Sequence, residues 1–252
     1  MVKLSVLILT KNEEKNISEC LTSASFANEK IVVDAESSDK TVEIAQKEGA
    51  KIFVNAFKDF ADQRNFALSK ASGSWVLYID ADERVTESLR DNIKYQISNV
   101  KCTEIVALKI KRKNFYFGNH EWPYIEKMER LFRKDALMGW QGPLHETPII
   151  KGKVGELEGF LLHFTHRDLS SMLRKTIEWS GIEAHLRFKA GHPKMTWWRF
   201  PRVMLTEFWK FYFKQGGFKA GTIGLIESLY QAFSIFITYA RLWELQHEKK
   251  SY

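Results

Sequence analysis

The first hundred residues alternate short β-rich runs with polar or amphipathic stretches that are long enough to form helices. Four of the runs have the length and apolar character of buried strands: Leu4–Leu9, Lys30–Val33, Lys51–Val54 and Trp75–Ile79. This alternation is typical of βαβ units, in which successive strands lie parallel. The pattern therefore predicts an α/β fold with a mainly parallel, twisted sheet flanked by helices.

Helix signals occur in two of the stretches between these runs. Ser38 or Asp39 can cap a helix over Thr41–Glu48, and Gly49 stands where that helix would end. A second helix is predicted over Asp59–Ala71. Both helices fall between predicted strands, as βαβ units require.

Polar and acidic residues follow three of the predicted strands. Thr10 and Glu13 come after the first strand, Asp34 comes after the second, and Asp80–Glu83 comes after the fourth. Ligands of open parallel sheets bind beyond the carboxyl ends of the strands. These residues are therefore the first candidates for a binding site.

The segment WVLYIDADE leads an apolar strand directly into three carboxylates. Such a cluster raises at least one carboxyl pKa unless a cation or hydrogen-bond donors offset the repulsion. In an extended strand Asp80 and Asp82 point to the same face. The chain contains no GxGxxG after its first strand and no GxxxxGK[ST], so a nucleotide would need a metal to hold its phosphates. Mg²⁺ or Mn²⁺ suits one or two carboxylates completed by water and substrate phosphate.

Charge is unevenly distributed along the chain. The net charge is +7, with about −3 in residues 1–100 and +10 in residues 101–252. The basic part indicates an anionic partner such as a nucleic acid, a membrane surface or a phosphorylated substrate. Cys20 and Cys102 show neither disulfide-framework nor zinc spacing. The six-residue apolar run near the N-terminus indicates a strand and not a signal peptide, so we expect a cytoplasmic protein.

The last third of the chain is predicted to be helical. Helical periodicity covers residues 169–188, and the apolar stretch from Thr222 to Leu242 is long enough to span a bilayer but is more polar than typical spans. Aromatic and basic residues intermingle before it in a pattern that indicates an interfacial membrane surface: Trp197, Trp198, Trp209, Phe211, Tyr212 and Phe213 with Arg199, Arg202, Lys210 and Lys214. Helices that pack on the sheet, on each other or on a second subunit are the alternative.

Several segments in a fixed order carry a family resemblance. They are LSVLILTKNEEKNI, IVVDAESSDKTVEIA, FADQRNFAL, WVLYIDADE, ERLFRKD, GPLHE and KQGGFKAGTIGL. With these segments the sequence resembles the family 2 inverting glycosyltransferases, and within them the lipopolysaccharide core enzymes that add glucose to inner-core heptose. The resemblance implies a GT-A nucleotide-diphospho-sugar transferase fold over residues 1–165, with a nucleotide-sugar half at 1–100 and an acceptor half at 101–165. A C-terminal helical, membrane-associating extension would cover 166–252.

The resemblance implies a donor site and a divalent cation, Mg²⁺ or Mn²⁺. Its residues would be Thr10, Glu13 and Asp34 at the uridine, Arg64 beside the base or diphosphate, Asp80 at the ribose or metal, and Asp82 on the metal. Many family members have Gly where this chain has Glu36, so the loop beside Asp34 is expected to differ. Asp34 as a turn cap and Arg64 as a solvated helix residue are the structural alternatives.

Inverting transfer also needs a base for the acceptor hydroxyl, and the segment GPLHE offers Glu146 with His145. Asp135 and Glu129 are weaker candidates because basic residues adjoin them. Arg130 and Arg133 are candidates for binding diphosphate or an acceptor phosphate. An exposed loop is the alternative interpretation for the His-Glu pair.

The resemblance thus implies an enzyme that transfers a hexose, most simply glucose, from a UDP-sugar to a lipid-anchored saccharide such as inner-core heptose. It would work as a peripheral protein on the inner face of the cytoplasmic membrane, without nucleic acid, and its C-terminal helices could pair in a homo-oligomer. Another polysaccharide, polyprenol or protein acceptor is an alternative. So is a non-catalytic subunit of a membrane assembly that retains the nucleotide-sugar fold.

Overall fold

The computed structural model describes residues 3–99, 104–142, 146–165 and 168–248. The chain divides into two compact units. Unit 1 comprises Met1–Lys113 and Ile125–His163, and unit 2 comprises Asn114–Tyr124 and Phe164–Tyr252. The division near residue 163 lies close to the predicted boundary at 165. The inclusion of residues 114–124 in unit 2 was not predicted.

Unit 1 is built on an eight-stranded sheet with strand order β3-β2-β1-β4-β7-β6-β10-β5, and β8 and β9 form a separate two-stranded sheet. The strands are β1 (Leu4–Thr10), β2 (Glu29–Asp34), β3 (Lys51–Val54), β4 (Trp75–Asp80), β5 (Glu83–Val85), β6 (Ile105–Tyr116), β7 (His120–Arg133), β8 (Leu137–Gln141), β9 (Thr147–Ile150) and β10 (Lys153–Phe164). The helices of unit 1 are α1 (Ile17–Ser23), α2 (Thr41–Lys47), α3 (Phe60–Lys70) and α4 (Glu87–Ser98), with a 3₁₀ turn at Lys134–Ala136.

The four strands read from the sequence pattern form the parallel part of the sheet, as predicted. β1 pairs in parallel with both β2 and β4, and β2 pairs in parallel with β3. Beyond β4 the sheet turns antiparallel, because β7 runs against β4 and β5 runs against β10. The sheet is therefore mixed, and its antiparallel half carries segments that the apolar pattern of the first hundred residues does not cover.

Alternate side chains of the central strands enter two different cores. In β4, Leu77 and Ile79 belong to the core under α1 and α4, whereas Val76 and Tyr78 belong to the core under α3. All of these side chains are fully buried. A strand buried on both faces reads as a continuous apolar run, which explains why WVLYI shows no alternation.

The ends of the predicted helices agree with their sequence signals. Asp59 caps α3 by accepting a 2.7 Å hydrogen bond from the Asp62 backbone N–H. Gly49 follows α2 with φ of +73°, a left-handed conformation that glycine adopts without steric cost. Asp39 does accept a 2.9 Å hydrogen bond from the Thr41 N–H, although α2 itself starts one residue after Lys40.

Unit 2 consists of helices and the tip of the β6–β7 hairpin. The helices are α5 (Leu169–Lys189), α6 (Arg199–Trp209), a π-helical turn (Lys210–Lys214), a 3₁₀ turn (Gly217–Ala220) and α7 (Gly221–His247). Trp122 of the hairpin tip is 1% exposed and donates a 3.1 Å hydrogen bond to Gln215. The hairpin tip is thereby part of the core of unit 2.

Helix α7 packs along α5 through polar as well as apolar groups. The Thr176 and Tyr230 hydroxyls lie 2.7 Å apart, and Tyr230 donates to the Met172 carbonyl at 2.8 Å. In the part of the chain that the structure describes, Gly217–His247 is the one helical segment that is long and apolar enough to cross a membrane, and 28% of its most apolar stretch is buried.

Candidate functional site

Thr10, Asp34 and Asp80 end three neighbouring parallel strands at one edge of the sheet. Thr10 is in register with Asp34, and Leu9 is in register with Asp80. Thr10 and Asp34 are 6% and 1% exposed. The prediction that these polar residues meet at the carboxyl edge is therefore confirmed by the strand register.

The loops after β1 and β2 interlock at this edge. Asp34 accepts hydrogen bonds from the Ser37 N–H (2.8 Å) and hydroxyl (2.5 Å), so its carboxylate organises its own loop. Asn12 donates its N–H to the Ser37 hydroxyl and accepts from the Ser38 N–H, both at 2.8 Å. Asn12 and Glu36 have φ of +55° and +59°. Glu36 thus adopts the conformation that the glycine of the family pattern would favour.

Asp80 lies among three guanidinium groups. Its carboxylate is 2.8 Å from Arg130, 3.7 Å from Arg64 and 3.9 Å from Arg112. Burial opposes ionisation of Asp80, but Arg130 and Arg64 outweigh it and hold the carboxyl pKa well below its usual range. The repulsion expected within the acidic cluster is therefore relieved by arginines from β6, β7 and α3.

Glu83, to which the sequence assigned no role, is the buried partner of two of these arginines. Its side chain is fully buried. It accepts from Arg112 at 2.9 Å, from Arg130 at 3.0 Å and from the Asp80 N–H at 2.9 Å. Glu83 therefore fixes the guanidinium groups that face Asp80 and also the backbone at the end of β4. The position of Glu83 directly after Asp80 and Asp82 was the signal in the sequence that it belongs to the site. Its partners Arg112 and Arg130 could not be predicted, because they are remote in sequence.

Arg64 connects the Asp80 edge to Glu146. Its Nε donates to the Glu146 carboxylate at 2.8 Å, and the side chains of Arg64 and Glu146 are 7% and 16% exposed. The guanidinium carbon lies 4.8 Å from the Trp140 ring centroid and 5.5 Å from that of Tyr78. Burial raises the pKa of the Tyr78 hydroxyl, which donates a 3.0 Å hydrogen bond to the Arg64 carbonyl. Arg64 is thus held in place and is not a solvated helix residue.

Asn65 holds β8 against α3 beside this pair. Its amide donates to the Trp140 carbonyl at 2.9 Å and accepts from the Trp140 N–H at 2.8 Å. These two hydrogen bonds hold β8 in place. Glu146 directly precedes β9, the partner strand of β8, so they also fix the hairpin that carries Glu146. The contact between Asn65 and Trp140 was not predicted from the sequence.

Asp82 faces a histidine that sequence reasoning missed. The Asp82 carboxylate is 3.3 Å from Nε2 of His163 on β10, and the two side chains are 12% and 15% exposed. Burial lowers the pKa of His163, but Asp82 outweighs this effect and the pKa is raised. The distance along the chain left no local signal for this pair.

Asp82 is the residue on which a divalent-cation site would depend. Among the residues that the structure describes, no group of three or more His, Cys, Asp and Glu side chains is arranged to hold a metal. Asp80 is engaged by arginines, whereas Asp82 presents a carboxylate beside an imidazole, and Mn²⁺ and Mg²⁺ complete their shells with water and substrate phosphates. The Asp82 carboxylate and the His163 imidazole are therefore ligand types that such a cation can use, without forming a complete site by themselves.

Two of the predicted residues, Arg133 and Glu13, bond to other groups. Arg133 is in register with Trp75, at the other end of β4 and about 16 Å from Asp80 at 3.3 Å per residue. It pairs with Asp135 at 2.5 Å and lies apart from the Asp80 cluster. The Glu13 carboxylate accepts a 2.5 Å hydrogen bond from the Asn16 side-chain amide. His145 lies outside the described residues.

Comparisons with known proteins agree with this architecture. The chain matches the family model described as glycosyl transferase family 2 over residues 5–145. An uncharacterised glycosyltransferase of Rickettsia typhi is 30% identical over 264 residues, covering 100% of this chain and 90% of the relative. The lipopolysaccharide core biosynthesis glycosyltransferase LpsC of Rhizobium meliloti is 26% identical, covering 96% of this chain and 92% of the relative.

A solved structure supports the same fold. The mannosyltransferase PcManGT of Pyrobaculum calidifontis superposes with a TM-score of 0.56 at 14% identity, covering 96% of this chain and 88% of that chain. This similarity agrees with the predicted GT-A fold. The family model matches more than half of the chain, and the relatives match it over nearly its full length. Together with the mixed sheet and the carboxylates at its carboxyl edge, these matches show that the chain belongs to glycosyl transferase family 2.

Proposed function

We propose that this glycosyltransferase moves a hexose, glucose in the simplest case, from a UDP-sugar to a lipid-anchored saccharide with inversion at the anomeric carbon. The observation that carries the proposal is the position of Arg64, which bonds Glu146 at 2.8 Å and lies 3.7 Å from Asp80. The Glu146 carboxylate is thereby held beside the strand end that would receive the donor. Residues 1–100 would bind the donor and residues 101–165 the acceptor.

On the donor side, the roles follow from position and chemistry. Thr10, Glu13 and Asp34 would contact the uridine, Asp80 the ribose, and Arg64 or Arg130 the diphosphate. Asp82, with His163 beside it, would hold a divalent cation. When bound, that cation would stabilise the negative charge that develops on the departing diphosphate.

On the acceptor side, Glu146 would accept the proton of the attacking hydroxyl. The hydroxyl oxygen forms its bond to the anomeric carbon while the bond from that carbon to the diphosphate oxygen breaks. A direct displacement of this kind inverts the anomeric centre, and the diphosphate leaves with the bonding electron pair. His145, its neighbour in sequence, would orient Glu146 or contact phosphate.

The proposed acceptor and cation draw on the relatives, and the UDP-sugar donor draws on the family resemblance of the sequence. LpsC of Rhizobium meliloti is named for lipopolysaccharide core biosynthesis, and PcManGT was solved with GDP-mannose and Mn²⁺. A lipid-linked saccharide such as inner-core heptose is consistent with the basic second part of the chain. The protein would then act as a peripheral protein on the inner face of the cytoplasmic membrane.

The test is release of UDP from UDP-glucose by the full chain, with Mn²⁺ or Mg²⁺ and a heptose-bearing lipopolysaccharide acceptor. GDP-mannose and other UDP-hexoses serve as competing donors. Glu146→Gln should lower kcat by about 10²–10⁴-fold with little change in donor affinity, because it removes the base and keeps the shape of the side chain. Asp135→Asn is the matched control, since Asp135 pairs with Arg133 away from the site.

Four results would each contradict a different part of the proposal. A Glu146→Gln variant with the parental kcat would reject the base, whereas a chain that binds no nucleotide sugar would favour a non-catalytic subunit. Asp82→Asn should abolish stimulation by Mn²⁺, and unchanged Mn²⁺ dependence would reject its metal role. Transfer only to a polyprenol, a protein or another polysaccharide would replace the acceptor but keep the enzyme.

A further inference from the structure

Helix α6 and the π-helical turn after it expose large apolar side chains along one side. Trp198, Leu205, Trp209 and Phe213 are 45%, 68%, 62% and 45% exposed. Their spacing of seven, four and four residues places them on one helical face. No side chain of α6 is buried. We call these four residues the apolar stripe.

Basic side chains accompany the apolar stripe. Residues 194–219 contain six Lys or Arg and one Glu, a net charge of +5. The guanidinium carbons of Arg199 and Arg202 each lie 5.4 Å from the Trp198 ring centroid. Glu207, the acidic residue of this segment, is paired with Lys210 at 2.7 Å. The surface therefore combines exposed tryptophan, leucine and phenylalanine with unneutralised positive charge.

This combination fits an anionic bilayer surface better than it fits an aqueous or a protein environment. Tryptophan rings and leucine side chains enter the boundary between headgroups and acyl chains, while Lys and Arg remain at anionic headgroups. An interface with a second copy would bring these like charges toward each other. Charge complementarity therefore selects an anionic lipid surface as the occupant.

Helix α7 is the competing candidate for membrane contact, by length and composition. Its Glu227 and Thr238 are buried, and its Arg241 donates a 2.7 Å hydrogen bond to the Ile177 carbonyl of α5. A crossing α7 would draw into the bilayer its partner α5, which carries Arg174, Lys175 and Glu178 among other charges. Intramembrane charges of this number are costly.

We propose that α6 and the π-helical turn lie in the plane of an anionic bilayer, with the apolar stripe in the acyl boundary and α7 outside the membrane core. The proposal specifies how the protein of the proposed function would reach a lipid-anchored acceptor. It can be tested without glycosyl transfer, so failure of one does not imply failure of the other.

The experiment is flotation of the full chain with vesicles of phosphatidylcholine, with and without phosphatidylglycerol. The parent should float with the anionic vesicles and dissociate at high salt or in alkaline carbonate. Leu205→Ser with Trp209→Ser should reduce partitioning more than tenfold through lost apolar burial. Arg202→Glu with Lys214→Glu should reduce binding to anionic vesicles by at least tenfold and leave the weak neutral-vesicle binding unchanged.

Matched controls are Tyr95→Ser, which removes a 69% exposed aromatic ring from α4, and Lys47→Glu, which reverses an exposed charge on α2. Both should float like the parent. Because the replaced side chains are exposed, the α6 variants should keep the parental circular dichroism spectrum and, with a soluble acceptor, the parental release of UDP. Equal flotation of parent and α6 variants, or retention of the parent in carbonate, would overturn the proposal. So would a lipid-free dimer that the stripe variants dissociate.

Discussion

At the scale of single residues, the site is a network of opposite charges held by one buried carboxylate. Glu83 bonds Arg112 and Arg130, and Arg130 bonds Asp80. The three carboxylates of the DADE segment therefore have different partners. Asp80 and Glu83 bond arginines, and Asp82 pairs with His163.

Replacing Glu83 by Gln should lower the free energy of unfolding by about 3 kcal/mol, because it removes the buried charge that Arg112 and Arg130 share and leaves them, among the described residues, only Glu126 and Asp80 as carboxylate partners. Glu104→Gln is the control, since Glu104 is an exposed residue paired with Lys153 and should change stability by less than about 1 kcal/mol. Urea unfolding measures both. A Glu83→Gln variant as stable as the control would show that the network contributes little.

Glu29 should make stability dependent on acid pH. Partial burial opposes its ionisation, but hydrogen bonds from Ser5, Ser72 and Lys51 outweigh this and lower its pKa from 4.5 to about 2. A lowered pKa stabilises the fold fully above pH 4.5, and this contribution is lost as the pH falls toward 2. The shift corresponds to roughly 3 kcal/mol at most.

The measurement is urea unfolding of the parent and Glu29→Gln between neutral pH and pH 2. The parent should be the more stable protein at neutral pH, and the difference should shrink below pH 4.5. A constant difference across this range would contradict the assignment to the Glu29 carboxylate.

At the scale of elements, the site depends on how the β8–β9 hairpin lies against α3. Asn65 bonds both backbone groups of Trp140, and Trp140 covers Arg64, which bonds Glu146. The hairpin thus brings Glu146 to the carboxyl edge of the parallel strands. Its placement is a tertiary contact between distant segments.

Asn65→Ala should lower kcat about tenfold or more, because small displacements of a catalytic group have large effects on rate. The donor affinity should stay close to the parental value, since the edge proposed to bind the donor is formed by β1, β2 and β4. Asn92→Ala in α4 is the control because the Asn92 amide bonds only the Ser88 and Glu158 carbonyls among the described residues. Steady-state kinetics and donor binding separate the outcomes, and an equal loss of donor affinity would indicate general damage.

At the scale of the whole molecule, the chain forms two units, and one segment that interrupts unit 1 in sequence belongs to unit 2. Residues 114–124 leave the sheet strands of unit 1 and supply Trp122 to the core of unit 2, where its ring lies 5.1 Å from Tyr116 and 6.1 Å from Phe211. A boundary drawn by position along the chain therefore does not separate the two cores.

Trp122→Ala should destabilise unit 2 by about 3–5 kcal/mol, because it removes a fully buried aromatic side chain and leaves a cavity. Trp197→Ala is the control, since Trp197 is 82% exposed and packs little against the protein. Hydrogen exchange resolved to α5 and α7 should show faster opening in the first variant only. Unchanged protection of these helices would contradict the role of the hairpin tip.

Much of the fold was predictable because its signals are local. The runs that became β1 to β4, the helices α2, α3 and α5 and the end of α2 at Gly49 follow from apolar pattern and capping chemistry. The meeting of Thr10, Asp34 and Asp80 also follows, because parallel strands place their carboxyl ends at one edge. The antiparallel half was not predictable in this way, since its pairings join segments that carry no register signal.

The sequence by itself determined the α/β character, the acidic carboxyl edge and the family, because these depend on local pattern and on an ordered set of motifs. Only the tertiary structure decided which charges meet: Arg130 with Asp80, Arg64 with Glu146, His163 with Asp82, and Arg133 elsewhere. The physical reason is that ion pairs between remote residues depend on strand order and register. The sequence gives the sign of each charged side chain, but it does not show which residue will be its partner.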